Sequence, residues 1–104
     1  MLVESFPTPL PEGPSAEWLP VFQGQPSQYL HPHYCILSTS QQLRAEADGY
    51  ELVVIVARGA VELPELSKRV SAFAALQICP GEAAEFRAVE SPTLLLGIRA
   101  MLTA

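Results

Sequence analysis

Fourteen residues, Tyr50 to Leu63 (YELVVIVARGAVEL), constrain the fold more than any other stretch of this chain. Leu52 to Ala57 is apolar at both parities, the pattern of a strand covered on both faces. Gly59 then interrupts the run. A glycine inside a strand pattern marks a bulge or a sharp bend, and a bend here lets the strand leave one set of partners and take another. About twenty residues later a second apolar run stops at Ile78-Cys79-Pro80-Gly81-Glu82. Bent, buried strands closed by turns predict a small β-barrel or β-sandwich.

The remaining segments agree with an all-β chain. Tyr34 to Thr39 (YCILST) is apolar and β-branched, and Gln42 to Ala47 places Leu43, Ala45 and Ala47 on one face with Gln42, Arg44 and Glu46 on the other. Asp48-Gly49 then predicts a hairpin turn leading into the strand at Tyr50, because both residues tolerate positive φ. Pro64 to Arg69 reads as a polar loop. Strands are expected over Val70 to Ile78, Ala83 to Val89 and, after the Ser91-Pro92 break, Thr93 to Met101. Ala72 to Leu76 (AFAAL) is the helical rival, and it is too short to stand as a helix.

With 104 residues, 49% of them hydrophobic and 16% charged, the chain closes one modest core. Six of the ten prolines, Pro7, Pro9, Pro11, Pro14, Pro20 and Pro26, crowd the N-terminal quarter. Each fixes φ and removes a donor, so residues 1–20 are read as an extended proline-rich arm and 21–104 as the β domain. Phe6, Leu10, Trp18, Leu19, Val21 and Phe22 are too apolar for a solvated tail. Part of the arm is expected to pack on its own domain or on another subunit.

Charge excludes one class of partner. Eleven acidic residues against six basic ones give a formal net charge of −5, with no basic cluster longer than Lys68-Arg69. Phosphate-backbone binding needs more cations than that, so no nucleic acid is expected. MLVESFPTPLPEGP has neither a positive n-region nor an apolar h-region, and no apolar run reaches membrane-spanning length; no membrane partner and a cytoplasmic location are expected. Cys35 and Cys79 each lie in an apolar segment and read as buried free thiols.

Glu51 and Gly59 with apolar residues between them, the strand ending in Pro80-Gly81-Glu82, and the final apolar strand Thr93-Leu94-Leu95-Leu96-Gly97-Ile98 together resemble the cupin jelly roll over residues 30–100. That resemblance implies a barrel whose first motif holds two histidines and a glutamate and whose second adds a third histidine after a Pro/Gly turn. This chain departs from the pattern. His31 and His33 stand far ahead of Glu51, and no histidine follows His33. A metal set would have to be drawn from His31, His33 and Glu51, with Cys35 and Cys79 nearby in type, which is short of the convergent donors such a site requires. No cofactor is therefore expected.

No glycine-rich phosphate loop and no nucleophile elbow is present. Arginines inside strands either pair with carboxylates on a sheet face or turn inward and hold an anion by the guanidinium fork. Arg58 and Arg99, with Glu51, are the candidate ligand-binding residues, while Glu46, Glu62 and Glu85 are available as surface partners. The functional expectation is a metal-free, cupin-like domain that oligomerises, as a homodimer, or serves as a protein-interaction module. The alternatives are a binding protein for a small molecule such as a sugar or carboxylate, held in an interior lined by Val53, Ile55, Phe73 and Phe86, and a divergent metal-dependent enzyme. The missing third histidine weighs against the enzyme.

Overall fold

The computed structural model describes residues 17–22 and 30–100. They form two antiparallel sheets packed face to face. The first contains β1 (Leu19–Pro20), β2 (Leu30–Leu37), β9 (Thr93–Ala100), β4 (Glu51–Arg58) and β7 (Ala75–Ile78), in that spatial order. The second contains β3 (Gln42–Glu46), β8 (Ala83–Ala88), β5 (Ala60–Leu63) and β6 (Lys68–Ser71), with a short 3-10 turn over Pro64–Leu66. The expected all-β sandwich is the fold observed.

Gly59 is the hinge between the sheets. β4 runs in the first sheet against β7 and β9, its register slips between Val56 and Arg58, and β5 continues in the second sheet against β6 and β8. Gly59 itself has φ of +83°, a conformation that side chains disfavour. Thr93 secures the corner from the other strand: its hydroxyl accepts a hydrogen bond from the Ala60 amide at 3.3 Å and donates to the Glu90 carbonyl at 2.9 Å.

Four local expectations are corrected. Gly49 takes positive φ, yet Asp48-Gly49 is not a hairpin turn, since β3 pairs with β8 and β4 with β7 and β9. The chain reverses there by crossing from one sheet to the other. The polar loop ends sooner than expected, because Lys68 and Arg69 already belong to β6, and the strand read over Val70 to Ile78 is broken at Ala72 to Ala74 into β6 and β7. Finally, β2 starts at Leu30 and runs through Pro32. The Pro32 carbonyl accepts from the Val21 amide at 3.1 Å, on the β1 side. A residue's nitrogen and carbonyl point to the same side of a strand, so the missing Pro32 donor is absent from the β1 side and leaves the β9 ladder whole.

The core lies between the sheets. Cys35 and Leu37, Val54 and Val56, and Leu95 face Leu43, Ala45, Val61, Phe86 and Ala88 across the interface. Val53 and Ile55, expected inside, lie on the outer face of the first sheet, and Phe73 is 86% exposed; of that expected lining only Phe86 is interior. The two outer faces differ in chemistry. On the second sheet, Arg44 pairs with Glu46 at 2.6 Å and with Glu85 at 3.2 Å, and Arg87 pairs with Glu62. On the first, Val53 and Ile55 of β4 neighbour Ile98 and Leu96 of β9, an apolar surface left half-buried.

Candidate ligand-binding site at the barrel mouth

Alternation decides what reaches the end of the sandwich. Along β9 the inward positions are Thr93, Leu95, Gly97 and Arg99; on β4 they are Leu52, Val54 and Val56. In register, Gly97 lies between His33 and Val54, and Arg99 between His31 and Leu52. Large apolar side chains close the deeper rows. The outermost rows leave a cavity of about 300 Å³, lined by His33, Leu52, Arg99, Tyr50 and Trp18, with Arg44 and Glu46 at its rim.

Arg99 is the chemically distinctive group there. Its guanidinium carbon stands 5.0 Å from the centroid of the Tyr50 ring, an arrangement in which cation and π-face attract. Tyr50 is fixed in turn by donating from its hydroxyl to the Glu46 carbonyl at 2.9 Å. The Arg99 Nε is buried and has no hydrogen-bond partner among the described residues. A buried guanidinium N–H without an acceptor costs roughly 1–3 kcal/mol. The ring of His33 adds a polar wall, with its Nδ1 3.0 Å from the His31 carbonyl oxygen.

Trp18 closes the cavity from the arm. Its indole reaches past β2 onto Gly97 and packs against the core cluster. Leu19 and Pro20, at the end of the arm, pair with Tyr34 and His33 of β2. Residues 1–16, which make up most of the expected arm, lie outside the described residues.

The other candidate residues go elsewhere. Glu51 occupies the outward parity of β4, opposite to Leu52 and Val54, and lies close enough to Cys79 to act on it electrostatically. Arg58 is exposed beyond the register slip at the end of β4. His31 and His33 share the inward parity of β2, so Glu51 and the two histidines stand on opposite faces of the sheet. Among the described residues no three His, Cys, Asp or Glu side chains converge. The residues present do not fit the metal centre implied by the cupin resemblance. Cys35 and Cys79 are free, the first buried and the second exposed where burial was expected. Burial pushes the Cys35 thiol up to about 12, which leaves it a core side chain and not a nucleophile.

No family model matches the chain, and no curated protein matches it either. Solved structures do. A double-stranded β-helix protein of Klebsiella pneumoniae superposes with a TM-score of 0.71 at 10% identity, over 86% of this chain and 80% of that one. The cupin domain of an XRE-family transcriptional regulator from Enterobacter cloacae gives 0.67 at 13% identity, over 85% and 98%. The fold is cupin-like. KdgF from Halomonas sp. is similar as well, with a TM-score of 0.64 at 17% identity over 81% of this chain and 86% of that. At these identities the likeness is one of architecture. Among the described residues no helix is long and apolar enough to cross a membrane.

Proposed function

We propose that this chain is a cupin-like binding domain for a small carboxylate, held at the barrel mouth without a metal. The observation that carries the reading is the Arg99 guanidinium, set against the Tyr50 ring and lining a cavity of about 300 Å³. A planar guanidinium offers paired donors that match a carboxylate. Tyr50 restrains the guanidinium, so little rotamer entropy is lost on binding. Glu51 and Arg58 take no part in this site.

Acetate is the simplest probe. Calorimetric titration of the full chain is expected to show saturable binding that Arg99→Met weakens about tenfold to a hundredfold, the range set by losing a charged hydrogen bond of about 1.5–3 kcal/mol. Equal affinity in Arg99→Met would remove Arg99 from the site and end the proposal. Arg58→Met serves as the control and is expected to bind as the parent does.

A second reading is favoured by the outer face of the first sheet. Val53, Ile55, Leu96 and Ile98 form an uncharged surface, whereas the second sheet carries its ion pairs outward. We infer that two copies associate through this apolar face, each covering the same patch of the other as in an isologous interface. Light scattering is expected to give a dimer for the parent and a monomer for Ile55→Glu. A monomeric parent would refute the association.

A further inference from the structure

The shape of the mouth narrows the ligand class, in an inference that rests on the anion site above. Gly97 leaves a flat strip of backbone between His33 and Val54. On that strip lies the chain's own indole: a Cβ at position 97 would stand 2.9 Å from Cη2 and Cζ3 of Trp18 and 3.3 Å from Cζ2. No second ring fits between indole and backbone. The strip is a seat for a flat ring, and Trp18 takes it. Two residues along the same face of β9, Arg99 lines the same cavity with its guanidinium set against the Tyr50 ring.

We propose that the mouth binds a compact aromatic carboxylate, with its ring on Gly97 in place of the Trp18 indole and its carboxylate on Arg99. Trp18 is then an internal competitor. Among the described residues, the segment that carries it is held by the two-residue strand β1 and by the hydrogen bond from the Val21 amide to the Pro32 carbonyl. Leu19 and Pro20 are themselves exposed, and the contact given up on release is that of Trp18 with the core cluster together with the pairing to Tyr34 and His33. Exchanging one ring for another gains little, and net affinity therefore comes from the carboxylate on Arg99. An uncharged ring has nothing to offset the loss of the indole contact.

Trp18 is the sole tryptophan of the chain, so its emission reports on this seat alone. The full chain is titrated with benzoate, acetate and benzyl alcohol, with binding read by calorimetry and the seat by fluorescence. Benzoate is expected to shift Trp18 emission saturably to longer wavelength, acetate to bind without a shift, and benzyl alcohol to do neither. Trp18→Ala, freed of the competitor, is expected to bind benzoate about tenfold more tightly. Gly97→Ala provides a check that keeps the tryptophan: the new methyl dislodges the indole and covers the strip, so emission is shifted before any ligand is added and benzoate binds more weakly than to the parent. Benzoate binding with unmoved emission, or with no gain in Trp18→Ala, overturns the exchange. Acetate bound through Arg99 while benzoate is not bound overturns the ring seat and leaves the anion site standing.

Discussion

Replacing Gly59 by valine is expected to remove about 3–5 kcal/mol of stability, from left-handed backbone strain of about 1–3 kcal/mol and a steric conflict of similar size. The two contributions are separable. At φ of +83° a Cβ on residue 59 would lie 2.3 Å from the Thr93 hydroxyl, 2.9 Å from the Thr93 Cα and 3.0 Å from the Pro92 carbonyl. Gly81 has a similar φ of +88°, but a Cβ there would meet nothing within 4 Å. Gly81→Val thus reports the strain alone, and the excess loss at Gly59 reports the collision. Against a total of about 5–15 kcal/mol for a domain of this kind, the Gly59 variant is left marginal. Urea unfolding of the parent and both variants measures the difference. Equal losses at the two glycines would mean that β4 and β9 do not meet at Thr93 as described.

That corner was legible in the sequence because a glycine in a run of β-branched residues has few physical readings. Other signals were local and their outcome was not. Asp48-Gly49 specifies that the chain reverses, not which sheet the next strand joins, and here β3 and β4 part company across the sandwich. A proline such as Pro32 ordinarily argues against a paired position inside a strand. That rule holds only where the absent donor faces a required partner, and at Pro32 it faces the side of β1.

The site was less legible than the fold, for a related reason. Leu52 to Ala57 is apolar at both parities, so nothing in it tells which half faces inward, and Glu51 follows the parity that turned out to face outward. Arg58 and Arg99 look alike in sequence; a register slip carries the first into solvent, and strict alternation from Leu95 carries the second into the mouth. Trp18 was expected to pack, but its seat lies on a strand near the other end of the chain. The available signal was Gly97 itself, a glycine set in its strand between Leu96 and Ile98, which marks a close approach by something bulky.

The same parity problem predicts opposite outcomes for two phenylalanines that the sequence does not distinguish. Phe86 is fully buried on β8 opposite Leu43, within the cluster that joins the two sheets. Phe86→Ala is expected to cost about 3–5 kcal/mol, since the surrounding strands are tied into ladders and cannot collapse into the space. Phe73 stands 86% exposed between β6 and β7, and Phe73→Ala is expected to change stability by no more than about 0.5 kcal/mol. In urea unfolding the Phe86 midpoint falls with little change in slope, while the Phe73 curve overlays the parent. Comparable losses at both positions would place Phe73 in the core and invalidate the break between β6 and β7. Because Phe86 fills the sandwich from the second sheet and Arg99 lies at the mouth of the first, Phe86→Leu is expected to lose stability yet bind acetate as the parent does. Binding that fell along with stability would mean that the cavity extends into the core and is not confined to the mouth.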